Sequence, residues 1–226
     1  MNIVANLNTV RQRIRQAEAK FHRQEGSVSL LAVSKTIGIP LIQKLIDAGQ
    51  YDLGENYLQE ALRKIEILNV PKLTWHFVGP IQSNKTRLIA QHFTWVHSVS
   101  KPIIAEFLHN FRPNHLPPLE VCIQVNLSNS PNKSGVTLEG LLTLAKTICQ
   151  YENLKLRGLM TIPEPILSFD EQRAEFKKLR QAKESLQKEG FELDTLSMGM
   201  SHDLEAAIAE GATIVRVGTA IFGPRN

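Results

Sequence analysis

The stretch SLLAVSKTIGIP, Ser29 to Pro40, decides how the rest of the chain is read. Leu30 to Val33 form a short unbroken apolar run of the kind a buried strand carries, and Pro40 then opens an amphipathic helix with Leu41, Ile42, Leu45 and Ile46 that stops at Gly49. Between them stands Lys35. A strand brings its last side chains to the rim of its sheet, so a lysine there has an apolar stem below it and a cavity above. Desolvation or a neighbouring cation lowers such an ammonium from its usual pKa of about 10.4, and only the free amine attacks a carbonyl to give an imine. On this segment alone a lysine after a strand is as a rule a solvated end charge. The rest of the chain has to decide.

Outward from this unit the same alternation repeats. Strands are expected at 29–35, 51–55, 74–79, 95–99, 120–126, 156–162, 195–200 and 214–218, with helical patterns at 56–68, 83–91, 101–111, 137–150, 169–189 and 202–210. Eight strands separated by seven helices, without hairpin signals or a linker-like break, predict an α/β chain of one domain over 1–226, closed into a (β/α)8 TIM-type barrel. A doubly wound open sheet is the alternative. Residues 2–24 place Ile3, Leu7, Val10, Ile14, Ala17 and Phe21 on one apolar stripe of a long helix. Too few residues follow the last strand for an eighth helix of normal length, so this N-terminal helix is expected to take that place in the outer helical ring.

The composition agrees with a globular protein. Of 226 residues, 42% are hydrophobic and 21% charged, which suffices for a large core and excludes disordered and fibrous classes. The formal charge of +4 comes from 26 basic and 22 acidic residues spread along the chain, and Arg11, Arg13 and Arg15 read as a solvated helix face, so no nucleic acid partner is expected. Cys122 and Cys149 lack ligand spacing and read as small core hydrophobes in a reducing compartment. Without a signal-like start or 18 consecutive apolar residues, the expectation is a cytoplasmic monomer away from membranes. The histidines His92, His97, His109 and His115 form no metal pattern and read as surface or core residues, and Trp75 and Trp95 as packing.

Barrel chemistry collects at the C-terminal ends of the strands. Polar groups fall there in number: Lys35, Glu55 and Asn56, His76 to Gly79, Ser98, Asn126, Thr161, Met198 to Ser201, and Arg216 to Thr219. The last two strands end in glycine-containing turns, where freed N–H groups and the hydroxyls of Ser201 and Thr219 can hold a phosphate. Ser201 is equally well placed as a simple helix cap. Arg216 alternates with Val215 and Val217, and an inward guanidinium needs an acceptor. An imine-forming lysine, a phosphate cradle and an arginine aimed at the mouth jointly match pyridoxal 5'-phosphate (PLP), whose ring nitrogen the arginine would meet.

The segments LAVSKT, GENYLQEA, WHFVGPIQSNK, GLMTI and LSMGMSHDLEAAIAEGATIVRVGTAIFG resemble the YggS/PROSC family of PLP homeostasis proteins, which have the fold of the alanine racemase N-terminal barrel. The resemblance covers essentially the whole chain. It implies PLP held as a Schiff base on Lys35, Arg216 near the pyridine nitrogen, and Ser201, Gly218 and Thr219 around the phosphate. By the same carry-over Asn56, His76, Ser197, Met198 and Gly199 line the pocket. The implied role is vitamin B6 and amino-acid homeostasis without a dedicated catalytic reaction, with apo forms of PLP enzymes as recipients.

An arginine facing the ring nitrogen makes a weaker electron sink than a carboxylate would. The similar racemases draw a second base, a tyrosine, from an extra domain, whereas this chain has only Tyr51, Tyr57 and Tyr151. A low-activity amino-acid racemase is therefore the alternative, and a Schiff-base aldolase a more distant one. The loop Asn126 to Gly135 is polar and turn-rich, which suits either a lid over the mouth or a plain solvated loop, and its Lys133 is a candidate for capturing an incoming aldehyde.

Overall fold

The computed structural model describes residues 2–128, 130, 133–165 and 168–224, and eight parallel strands in it close into a barrel in the order β1 to β8. The strands are β1 (Ser29–Val33), β2 (Asp52–Glu55), β3 (Thr74–Phe77), β4 (Trp95–Val99), β5 (Leu119–Gln124), β6 (Leu154–Met160), β7 (Thr195–Ser197) and β8 (Ile214–Val217). Between them run α2 (Ile39–Asp47), α3 (Leu58–Leu68), α4 (Thr86–His92), α5 (Pro102–Phe111), α6 (Leu138–Ile148), α7 (Phe169–Lys188) and α8 (Leu204–Ala209), and a single turn, α9 (Thr219–Phe222), follows β8. The closed order excludes the open doubly wound sheet. Closure comes from β1 pairing with β8, Leu31 opposite Arg216 and Ala32 opposite Val217.

Side chains alternate across each strand, so every strand has an inner and an outer set. Outward residues such as Ala32, Leu53, Val215 and Val217 belong to the large core between strands and helices. A small second cluster of Leu31, Val78 and Ile214 with Trp95 fills the inside of the barrel. Much of what else lies there is polar, as the site below requires.

The N-terminal helix α1 (Ile3–Lys20) sits in the outer ring between α8 and α2, the place left open by the short end of the chain. Asn2 caps it by accepting from the Ala5 N–H at 3.1 Å, and its stripe of Ile3, Leu7, Val10, Ile14 and Ala17 is buried. Polar bonds fix it on both sides. Arg11 donates to the carbonyls of Ala48 and Gly49 at the end of α2, and Arg13 donates to Glu205 and to the Ser201 carbonyl. The expectation of a merely solvated arginine face is corrected here: Arg11 reaches carbonyls left unpaired at the end of α2, and Arg13 reaches the Glu205 carboxylate of α8 and the Ser201 carbonyl before it, so both are ties to neighbouring helices. The buried Glu18 carboxylate accepts from the Val28 N–H at 2.8 Å and joins the helix to the start of β1.

Cys122 is buried in β5 as expected, and burial pushes its thiol well up. Cys149 instead is exposed, because it follows α6 as its cap residue, outside the apolar stripe. No helix among the described residues is long and apolar enough to cross a membrane.

If α1 is an integral part of the ring, Leu7→Ala, at a fully buried position, destabilises the protein by about 2–5 kcal/mol in urea unfolding. Val4→Ala on the exposed face of the same helix changes stability by less than about 0.5 kcal/mol. Equal effects of the two would show that the helix does not pack by its stripe.

Candidate functional site

β1 ends at Val33, two residues earlier than the apolar pattern suggests, and Lys35 stands on the turn that leaves it. That turn is held tightly. Thr36 has φ of 64°, a left-handed conformation that costs a non-glycine residue about 1–3 kcal/mol unless its surroundings fix it. Glu60 of α3 accepts the Thr36 N–H at 2.6 Å. On the other side of Lys35, Ser34 donates its hydroxyl to Glu55 at 2.6 Å, and its carbonyl accepts from Lys64 at 2.7 Å. Lys64 also pairs with Glu55 and with Glu60, so one buried ammonium on α3 connects both flanks of the lysine turn.

Lys35 lines a cavity of about 290 Å³ at the C-terminal end of the barrel. Asn56, Arg216, Ser201, Gly218 and Thr219 line it too. Six of the residues singled out from the sequence thus share one cavity. Asn56 reaches its place because Gly79 leaves β3 with no side chain, and a Cβ there would overlap the Asn56 carbonyl. Its Oδ1 is buried without a hydrogen-bond partner. On the opposite wall Ser201 Oγ accepts from the Ala220 N–H at 3.1 Å, which ties the turn after β7 to the turn after β8 and leaves the serine hydrogen free to point elsewhere.

Arg216 is buried beneath this cavity. Its Nη1 donates to Ser197 Oγ and its Nη2 to the Thr161 carbonyl, each at 2.7 Å. Burial lowers its pKa to about 10, partly countered by Asp203, so the guanidinium stays cationic at neutral pH.

The remaining four expected residues stand elsewhere. His76 and Ser197 lie inside the barrel below the cavity, His76 within a bonded set that includes His97. Met198 points away from the barrel axis into the core. Gly199 serves the backbone: its φ is 93°, and a Cβ would come within 2.6 Å of the Ala207 Cβ. The strand's alternation separates Met198 from Ser197, so adjacent positions of one motif cannot all face the ligand space. Val33, Val78, Ile162, Met200 and His202 complete the wall; Val78 and Met200 fall within the strand-end stretches named from the sequence, whereas Val33, Ile162 and His202 were not singled out. His202 carries the signal most easily found, a histidine one residue after Ser201 in the same turn.

Of the loop 126–135, Asn129, Pro131 and Asn132 lie outside the described residues. Asn126 folds the described part back by donating to the Ser130 carbonyl at 2.8 Å. Lys133 pairs with Glu164 at 2.9 Å and lines a separate cavity of about 110 Å³, which shares Ile162 with the Lys35 cavity.

With this geometry, the comparisons with known proteins decide the family. The family model for the alanine racemase N-terminal domain matches residues 5–226. A pyridoxal phosphate homeostasis protein from Pseudomonas aeruginosa is 54% identical over 225 residues, 99% of this chain and 96% of that one. The chain belongs to the pyridoxal phosphate homeostasis protein family. The structure of PipY from Synechococcus elongatus with PLP bound is similar to it with a TM-score of 0.81 and 36% identity, covering 93% of this chain and all of PipY. Alanine racemase from Corynebacterium glutamicum shares the fold, with a TM-score of 0.68 at 18% identity, and this chain spans 60% of its length.

The grip of α3 on the Lys35 turn has a testable electrostatic side. Burial holds the Glu55 carboxyl above its ordinary range, against the pull of Lys64 and Ser34. A carboxyl whose pKa is raised on folding contributes its stability below the unfolded value and loses it as pH rises through the folded value. Lys64 limits that loss. Lys64→Met should therefore cost about 3–5 kcal/mol near neutral pH and clearly less near pH 4, in urea unfolding at the two pH values. An equal cost at both would mean that Glu55 is not ionised beside Lys64.

Proposed function

We propose that this chain binds PLP in the cavity above Arg216, with Lys35 as its reversible point of attachment, and that it serves PLP homeostasis without a dedicated reaction. When bound, PLP supplies an aldehyde that condenses reversibly with an amine. The residues present suit such a group. The Lys35 side chain and the turns carrying Ser201, Gly218 and Thr219 stand around one space of about 290 Å³, and Asn56 Oδ1 offers a buried acceptor still lacking a partner. Gly218 and Thr219, with the Ser201 hydroxyl, supply small polar groups suited to a phosphate. The 54% identical relative named a pyridoxal phosphate homeostasis protein and the PLP-bound PipY structure support the same ligand.

The observation that carries the carrier reading is Arg216. A guanidinium has donors only and stays protonated at a pKa of about 10, so a ring nitrogen facing it acts as an acceptor. Such a ring draws electrons weakly and is held more than activated. No tyrosine is set among the cavity walls to act opposite Lys35: Tyr57 is largely exposed, Tyr151 stacks on His109 at 4.9 Å, and Tyr51 lines a cavity at the other end of the barrel.

One observation favours the second reading, a low-activity racemase. His202 lines the cavity and is a group able to exchange a proton there. Incubation with L-amino acids and PLP in deuterated water separates the two readings. The carrier reading expects α-proton exchange no faster than with free PLP, and exchange well above it that disappears in His202→Ala would replace it with the racemase.

The ligand itself is tested by borohydride reduction after incubation with PLP, followed by peptide mapping. A pyridoxyl label on Lys35, absent in Lys35→Ala, is the expected result. Labelling spread over surface lysines would sink the proposal.

A further inference from the structure

Below the cavity, a line of hydrogen bonds crosses the whole barrel. Arg216 Nη1 donates to Ser197 Oγ at 2.7 Å, Ser197 Oγ lies 2.8 Å from His97 Nδ1, His97 Nε2 lies 3.0 Å from His76 Nδ1, and His76 Nε2 lies 3.4 Å from Asp52 Oδ1. Ser197, His97 and His76 are buried, whereas the Asp52 side chain is 43% exposed and lines a second cavity of about 380 Å³ at the opposite end. Five side chains on β2, β3, β4, β7 and β8 are thus joined in series.

The chemistry at its two ends sets one direction. An ionised carboxylate only accepts, so His76 Nε2 carries a hydrogen and donates it to Asp52. With His76 neutral, its Nδ1 is an acceptor. His97 must then donate from Nε2 and accept at Nδ1, and the Nδ1 acceptor takes the Ser197 hydroxyl hydrogen. Ser197 is left with lone pairs, which is what the arginine needs. Every link now runs from Arg216 toward Asp52 without two donors or two acceptors meeting.

The reverse direction fails at the far end, where a bare His76 Nε2 would face a carboxylate oxygen. Burial holds both histidines below their usual pKa, His97 the more strongly because His76 and Arg216 lie beside it, which supports neutral rings. His76 is also fixed in orientation. Trp95 stacks on it with centroids 5.5 Å apart and planes within 11°, and Arg157, itself paired with Glu120 and Asp194, covers Trp95 at 4.9 Å.

We infer that Asp52, His76 and His97 are positioning residues: a one-way chain that locks both histidines as Nε2–H tautomers, makes Ser197 an acceptor, and so pins the Arg216 guanidinium under the ligand from the far side of the barrel. The chain stands on bond geometry and on the neutrality of the two buried rings, independently of any ligand. Only its consequence for PLP rests on the function proposed above.

Two measurements test it. Nitrogen-15 NMR of histidine-labelled protein without added ligand reads the tautomers directly, and Nε2–H is expected at both His76 and His97. An Nδ1–H form or an imidazolium at either overturns the chain. The second measurement uses Asp52→Asn, whose amide donates as readily as it accepts. It should release the lock, giving a visible Nδ1–H population at His97 and release of PLP to an apoenzyme about threefold faster, with the thermal midpoint unchanged.

An unchanged His97 tautomer in this variant overturns the direction argument, and a changed tautomer with unchanged release overturns the action on Arg216. If the wild-type protein takes up no PLP, the function proposed above fails by that result, while the tautomer measurement still decides the chain.

Discussion

A guanidinium buried inside a closed barrel is the constraint on which much of this structure depends. Arg216 cannot shed its charge at neutral pH, and its donors must find acceptors within a space that barrels usually fill with branched apolar side chains. The Thr161 carbonyl takes one donor and Ser197 another, and Ser197 is in turn satisfied only by the histidine behind it. One inward arginine on β8 therefore draws polar groups onto β7, β4, β3 and β2. The apolar interior contracts to Leu31, Val78 and Ile214, while nearly all remaining hydrophobic burial lies outside the barrel, under the helices. The barrel gains a charged floor for its cavity, held from below by two of the arginine's five donors.

The fold was legible because period and length separate cleanly in this sequence. Apolar runs of four to six residues alternate with helical stripes, and closure follows once the eighth strand is counted. The place of α1 was legible for a subtractive reason: the end of the chain is too short to complete the ring, and an apolar stripe at the start needs a surface to cover. Strand ends were less accurate. The pattern extends β1 to Lys35 and β7 to residue 200, whereas the ladders stop at Val33 and Ser197. Hydrophobicity reports burial, and residues beyond the last ladder bond remain buried here by the loops above them.

The candidate site was legible where chemistry and position coincide in one residue. Lys35, Asn56, Ser201, Arg216, Gly218 and Thr219 are polar or small at strand ends, and they meet around one cavity. Met198 and Gly199 are expected in the pocket only by carry-over from the family resemblance, but Met198 turns outward and Gly199 acts through its backbone. His97 reads from the sequence only as a surface or core residue, because nothing in its spacing points to a partner 100 positions later, Ser197, which only barrel closure brings within 2.8 Å. Glu60 and Lys64 are the reverse case. They form an ordinary helical ion pair at i and i+4, and their second role on Ser34 and Thr36 exists only because α3 packs beside the end of β1.

These two bonded sets divide the work of holding a reversible ligand. Glu60 and Lys64 of α3 act on the backbone at both sides of Lys35, and Glu55 at the end of β2 takes the Ser34 hydroxyl, so the turn and its strained Thr36 stay fixed. The chain behind Arg216 fixes the other side of the cavity through side chains alone. A site built to drive a reaction on its ligand would need a proton donor or acceptor held as firmly as these, yet His202, the titratable wall residue opposite this scheme, sits exposed on the turn after β7. On the proposed function, the Lys35 turn and Arg216 are held more firmly than His202, the arrangement that retention and exchange of a bound molecule would use.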